Sequence, residues 1–170
     1  MILGMSVSTF TLFHVVLSLV GIFAGLVVLF GMFSSKKLDG WTALFLATTA
    51  LTSLTGFFFP SDDVLPSHIV GLISMVVLAI AIFAFYSRDL AGSWRWIYVV
   101  TSVLALYLNV FVGVVQSFLK FPVLNALAPT QSEPPFVIAQ AAVLGIFVVL
   151  GVLAVRSFRP RASAAALSPV

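Results

Sequence analysis

The chain has 170 residues, of which 62% are hydrophobic and only 8% are charged, and its mean hydropathy is +1.24. Soluble domains carry about 25% charged residues, so this composition excludes a water-soluble globule, which would lack the polar side chains to cover its surface. There is no cysteine, which excludes disulfides, iron–sulfur clusters and cysteine-ligated zinc. The formal net charge of +3 comes from basic residues beside apolar segments, so it indicates membrane topology and not nucleic-acid binding.

Five apolar runs approach or exceed the roughly 20 residues that a helix needs to cross a bilayer. The predicted transmembrane helices are Phe10–Phe33, Trp41–Phe59, Ser67–Tyr86, Trp94–Phe118 and Phe136–Ser157. The first run is too long for the apolar region of a signal peptide and has no basic segment before it. The sequence therefore predicts an all-α polytopic membrane helix bundle, one domain over residues 1–159, followed by a disordered tail over 160–170.

The distribution of basic residues predicts the orientation of these five helices. Five crossings place the two termini on opposite sides of the membrane. The side of the C-terminus holds Lys36, Lys37, Arg88, Arg95, Arg156, Arg159 and Arg161, whereas the other side holds only Lys120. The positive-inside rule then predicts an external N-terminus and a cytoplasmic C-terminus. The outer loop over 120–135 has two interpretations: a short surface helix near 123–128 that lies over the bundle as a lid, or an ordinary loop without a helix.

The first helix carries a face of polar and small residues. Thr11, His14, Ser18, Gly21 and Gly25 follow one another in steps of three and four, which places them on one side of a helix. Gly21 and Gly25 form a G-x-x-x-G motif, which allows a neighbouring helix to approach closely. We therefore expect His14 to point into the bundle, about one turn below the outer surface.

A second histidine lies at the start of the third helix. His68 follows Pro66 and Ser67, and the outer loop before it contains the adjacent carboxylates of Asp62 and Asp63. The partial positive charge at a helix N-terminus favours a neutral imidazole, whereas the two carboxylates favour the charged form. This stretch is predicted to form the rim of an outward-facing pocket in which His14 is the deeper member.

Later helices place amide side chains at or outside the membrane midplane. These candidate binding residues are Asn109, Gln116 and Gln140. Amides at this depth also serve as interhelical hydrogen-bonding groups, which is the competing interpretation for Asn109 and Gln140. The threonines of the second helix are expected to bond back to their own backbone carbonyls.

Several functional classes lack their signatures in this sequence. No acidic or basic residue falls in the middle of a predicted helix, and no pair of broken helices or inverted repeat is evident, which argues against an ion-coupled transporter. There is no P-loop, G-x-S-x-G, H-E-x-x-H or G-x-G-x-x-G motif, so the usual nucleotide-binding and hydrolase signals are missing.

The two histidines permit three interpretations. Inward histidines in a helix bundle can serve as axial ligands of a b-type haem iron or bind a quinone, with Asn109, Gln116 and Gln140 bonding propionates or a quinone carbonyl. Alternatively, His14 and His68 could form a small metal site with Asp62 and Asp63. In the third interpretation no cofactor binds, and both histidines are interfacial or packing groups.

Three short segments carry a family resemblance. They are Leu12-Phe-His14, then Thr49-Ala-Leu-Thr-Ser-Leu-Thr-Gly56-Phe, then His68 at the opening of the next helix. This pattern, over roughly residues 10–86, resembles uncharacterised families of small bacterial inner-membrane proteins, some of which are suspected to bind haem. Such families often have four helices, whereas five are predicted here. The resemblance implies a bacterial membrane location.

Two functional hypotheses follow for this membrane-embedded chain. In the first, it is a small redox protein that binds haem b or a quinone in the outer leaflet and exchanges electrons with a membrane or outer-face protein partner. In the second, it is a non-catalytic accessory or assembly protein, or a lipid- or partner-binding module, in which the small-residue motifs serve association, including homo-oligomerisation. A channel is disfavoured by the uncharged interior, and no nucleic-acid partner is expected.

Overall fold

The computed structural model describes residues 1–59 and 66–160, apart from the side chains of Pro66 and Ser67. Within these residues the chain forms helices and no β-strands, which confirms the predicted all-α class. The helices are α1 (Val7–Phe33), α2 (Asp39–Gly56), α3 (Pro66–Ile82), α4 (Trp94–Lys120), α5 (Pro122–Leu127) and α6 (Pro134–Ser157). A π-helical turn, Phe83–Ser87, continues α3. Asp62, Asp63 and the tail predicted to be disordered beyond Pro160 lie outside the described residues.

Helix α4 is the central element of the bundle. It packs against α1, α3 and α6 and touches α2, while α1 pairs extensively with α2, and α2 with α3. Helix α6 packs on the outside, against α4 and α1, and only Phe147 and Ala154 of its residues are buried. Four helices thus surround a common core, and the last helix is added at one side.

Four of the described helices are long and apolar enough to cross a membrane. They are α1, α3 together with its π-helical turn, α4 and α6. Helix α2 has 18 residues, or about 27 Å at 1.5 Å per residue, but its threonines make it less apolar. It nevertheless lies along α1: the rings of Phe23 and Trp41 are 5.9 Å apart near one end, and His14 bonds to Thr55 near the other. The chain is therefore a helical membrane protein in which α2 is a full-length neighbour of α1.

Polar contacts join three segments at one end of the bundle. The Ser35 hydroxyl, after α1, donates to the backbone carbonyl of Ser157 at 2.6 Å. Lys37 forms a 2.7 Å ion pair with Asp89, in the connection between α3 and α4. Arg95, in the first turn of α4, donates to the carbonyl of Val155 at 3.1 Å. The connections after α1 and α3 and the end of α6 therefore lie together, in a region that we call the basic end.

The two glycines of the G-x-x-x-G motif are buried where α1 meets its neighbours. A Cβ atom placed on Gly25 would lie 2.7 Å from a methyl carbon of Leu106 and 2.8 Å from the ring of Phe45. Leu106 belongs to α4 and Phe45 to α2, and both are fully buried. The predicted close approach is thus confirmed, and it involves two helices at once.

The loop between α4 and α6 contains a short helix, the first of the two alternatives that the sequence left open near 123–128. Helix α5 has no buried residue and packs against the end of α4. The Asn125 amide donates to the carbonyl of Phe118 at 3.3 Å, and the Gln131 amide donates to that of Val115 at 3.0 Å. These bonds occupy carbonyls in the last turns of α4 and fix the loop to the helix.

Glu133 organises the turn that leads into α6. Slight desolvation raises the pKa of its carboxyl, but hydrogen bonds from the Thr130 hydroxyl and from the backbone N–H groups of Thr130 and Ser132 outweigh this effect. The net result is a pKa below the usual range, so the carboxylate is ionised at neutral pH. An ionised acceptor therefore closes the loop just before α6.

Candidate functional site

His14 lies on the second turn of α1, where the sequence predicted it. The helix begins after Ser6, whose hydroxyl accepts a 3.1 Å bond from the backbone N–H of Thr9. This N-cap fixes the start of α1 and places the imidazole of His14 toward the end of α2. The ring is partly buried, and its Nδ1 atom lies 2.8 Å from the hydroxyl oxygen of Thr55. The prediction that His14 points into the bundle is confirmed.

The Thr55 hydroxyl determines which nitrogen of a neutral His14 carries the proton. Thr55 has one hydroxyl proton, and it is directed at the carbonyls of its own helix, 2.7 Å from that of Leu51 and 3.1 Å from that of Thr52. We infer that the oxygen then accepts the bond that it shares with His14 and that the Nδ1–H group of the ring donates it. The lone pair of the neutral ring is therefore on Nε2.

The Nε2 atom is available for a ligand. It forms no hydrogen bond with any residue in the described ranges. It is also absent from the fully enclosed side-chain atoms of these ranges that have no hydrogen-bond partner, so it is not sealed inside the protein. Histidines that bind metals commonly donate their other ring N–H to a fixed acceptor, which orients the ring and increases the basicity of the binding nitrogen. His14 with Thr55 has this arrangement in the membrane-embedded part of the chain.

Aromatic rings from the end of α2 surround both histidines. Phe59 packs edge-on against His14, with ring centroids 5.2 Å apart, and also against the fully buried Phe10 at 5.2 Å. Phe57 stacks on the ring of His68, with centroids 5.7 Å apart and an interplanar angle of 13°. Gly71 permits this stack, because a Cβ there would lie 3.2 Å from Phe57. The two histidines therefore occupy the same end of the bundle, each against its own phenylalanine.

A compact metal site is not formed by the described residues. Among them there is no group of three histidine, cysteine, aspartate or glutamate side chains that could hold an ion. Asp62 and Asp63, which the metal interpretation requires, lie outside the described ranges.

Asn109 belongs to a second polar cluster, deeper along α1. Its side-chain oxygen accepts a 2.9 Å bond from the hydroxyl of Ser18. Gly21 makes room for this contact: a Cβ there would lie 3.2 Å from the Asn109 amide nitrogen and 3.0 Å from the hydroxyl of Thr49. Asn109 is buried, so its amide joins α4 to α1, as the interhelical interpretation expected.

We expect Asn109→Leu to lower the stability of the bundle by about 0.6 kcal/mol, the usual size of a hydrogen bond between membrane helices. Thermal unfolding in detergent would measure this as a fall of roughly 1–3 °C. Gln116→Leu is the control, because Gln116 is an exposed amide on the same helix. An Asn109→Leu variant as stable as the control would contradict a structural role for the Ser18 bond.

The remaining predicted site residues are not gathered around His14. The Gln140 amide nitrogen donates to the carbonyl of Phe111 at 3.2 Å, which joins α6 to α4. Its carbonyl oxygen is buried and has no hydrogen-bond partner within residues 1–59 and 66–160. Gln116 is exposed on α4. The structure thus brings Thr55 and Phe59 to His14, pairs Asn109 with Ser18, and connects Gln140 to the backbone of α4.

Sequence reasoning missed the partner of His14. The expected back-bonding of the α2 threonines is confirmed, for example from Thr48 to Leu44 at 2.7 Å and from Thr52 to Thr48 at 2.8 Å. That expectation treated these hydroxyls as already satisfied. A hydroxyl that has donated its proton still accepts, however, and this was the available signal that Thr55 could orient a histidine.

Comparison with known proteins gives no further assignment: no family profile, no curated sequence and no solved structure matches the chain.

Proposed function

We propose that all five long helices cross the bacterial inner membrane, with the N-terminus outside and the C-terminus in the cytoplasm. The support is the clustering of basic side chains at one end, together with the length of α2, which is close to the roughly 30 Å hydrocarbon core. The buried threonines of α2 face the other helices, so they are sheltered from lipid. In this topology His14 and His68 lie in the outer half of the bundle.

Within this topology, we propose that the protein binds a flat redox cofactor, haem b or a quinone, at the Nε2 atom of His14. The observation that supports this is the hydrogen bond from His14 to Thr55, which leaves a directed lone pair without a partner among the described residues. Such a nitrogen can ligate haem iron or accept a hydrogen bond from a quinol hydroxyl. Either cofactor would serve electron transfer near the outer face.

His68 is proposed as the second residue of the site. For haem it would supply a second imidazole to hold the group, and for a quinone a further hydrogen-bonding group. The aromatic rings of Phe57 and Phe59 provide flat apolar walls at this end of the bundle, and both already pack against the histidines. Phe57 is exposed, which leaves its ring accessible to a cofactor that enters from the membrane.

The visible spectrum of the purified protein tests the proposal. With haem supplied during expression, a haem site is expected to give a Soret band that is lost in His14→Ala and kept in Leu12→Ala, a control at an exposed position of the same helix. If no band appears, binding of a short-chain benzoquinone is measured for the same proteins. The absence of a Soret band, together with equal quinone binding by wild type and His14→Ala, would refute the proposal.

The second candidate function, an accessory or assembly protein, is favoured by the exposure of α6. Most residues of this helix are exposed within the described part of the chain, and lipid or a protein could cover them. Purification in mild detergent separates the two functions. One stoichiometric membrane partner without a cofactor would favour the accessory function.

A further inference from the structure

A groove lies between α4 and α6 in the half of the bundle nearest the basic end. Its volume is about 390 Å³. One wall is formed by apolar side chains of α4 from Val100 to Tyr107, and the other by apolar residues of α6 from Leu144 to Val155. Of the described residues that line it, the charged one is Arg156, at the end of the α6 wall. The groove therefore combines an apolar channel with a single cation.

The groove lies beside a close contact between α6 and α4. Gly151 has no side chain, and a Cβ there would already lie 3.4 Å from a methyl carbon of Val103. The α6 residues that are buried, Phe147 and Ala154, flank this glycine in sequence. Apolar side chains of the two helices line the groove along this contact.

The length of the groove matches one leaflet of a membrane. The α6 residues that line it run from Leu144 to Arg156, a distance of about 18 Å at 1.5 Å per residue. A hydrocarbon core of about 30 Å gives each leaflet about 15 Å. An acyl chain that enters from the membrane surface could therefore lie along the whole groove, in contact with its apolar walls.

The charge at the mouth of the groove favours an anionic headgroup. Arg156 is exposed and forms no hydrogen bond or ion pair with any other residue that the structure describes. Its neighbour Arg95 differs, because its guanidinium donates to the carbonyls of Val155 and Phe158 and so fixes the end of α6. A fixed helix end with an available guanidinium is well placed to bind a phosphate oxygen.

We propose that this groove is a specific site for an anionic phospholipid, with one acyl chain between α4 and α6 and the headgroup phosphate on Arg156. Basic sites between membrane helices on the cytoplasmic side commonly bind such headgroups. The site is separate from His14, which lies at the opposite end of α1, so it does not depend on the proposed redox function.

Native mass spectrometry of the detergent-purified protein tests whether the charge of Arg156 selects an anionic lipid. The probes are phosphatidylglycerol and phosphatidylcholine with identical acyl chains. Wild type is expected to retain one phosphatidylglycerol in preference to phosphatidylcholine, and Arg156→Gln to reduce that preference about fivefold, the effect of one basic side chain at a membrane surface. Lys36→Gln, at the same end but outside the groove, should keep it. Equal preferences in the two variants would overturn the proposal.

A second pair of variants tests whether the retained lipid occupies the groove. Gly151→Leu fills the channel and should abolish retention of either lipid, whereas Gly145→Leu extends into open space on the same helix and should retain phosphatidylglycerol. Equal retention by the two would mean that lipids bind only as a general annulus. If Gly151→Leu instead dissociates a dimer without changing lipid retention, the groove is an interface between copies and the lipid site is wrong. If Gly151→Leu does not fold, the comparison of Arg156→Gln with Lys36→Gln by itself tests the proposal.

Discussion

Gly25→Val is expected to destabilise the bundle more than any exposed substitution in the transmembrane helices. The first added carbon would lie 2.7 Å from Leu106 and 2.8 Å from the ring of Phe45. Both neighbours are fully buried, so they can move aside only if the surrounding core repacks. Overpacking of this kind costs about 1–3 kcal/mol, because α2 and α4 must both move away from α1.

Thermal unfolding in detergent measures this effect, at roughly 2–4 °C for each kcal/mol. Gly145→Val is the matched control, since it makes the same change inside a helix where no atom lies within 4 Å of the new Cβ. The difference in melting temperature between the two variants gives the cost of overpacking, because the change in helix propensity is common to both. Equal melting temperatures would show that the contact of the three helices at Gly25 is not tight in the folded protein.

Thr55→Val is expected to weaken the proposed cofactor site about 10- to 100-fold, the usual effect of losing the group that orients a ligating histidine. Valine has nearly the shape of threonine but cannot accept the Nδ1–H bond of His14. The ring would then be free to change tautomer or to rotate. Thr55→Ser retains the hydroxyl and should retain most of the affinity.

A readout without cofactor separates this prediction from the proposed function. Nitrogen NMR of the histidine ring in the purified apoprotein should report the Nδ1–H tautomer for His14 in wild type and in Thr55→Ser. In Thr55→Val the two tautomers should mix. An Nε2–H tautomer in wild type would contradict the assignment of the lone pair to Nε2, whether or not any cofactor binds.

The sequence determined the class of the fold through composition alone. A chain with so few charges must place its helices in lipid, where every backbone polar group has to be paired within the helix. Helical periodicity also determined the inward face of α1, since His14, Ser18, Gly21 and Gly25 recur every three or four residues. These inferences succeeded because each depends on local spacing or on the total balance of polar and apolar groups.

The tertiary structure decided which groups meet. Spacing predicted that His14 faces inward, but only the pairing of α1 with α2 places it 2.8 Å from Thr55. Likewise, Asn109 meets Ser18, whereas Gln116, two turns later on α4, is exposed. A contact between helices depends on their relative rotation and depth, and the sequence of one helix does not specify these. The sequence therefore determined a membrane bundle with an inward histidine, and the packing of α2 against α1 decided that this histidine shares a hydrogen bond with Thr55.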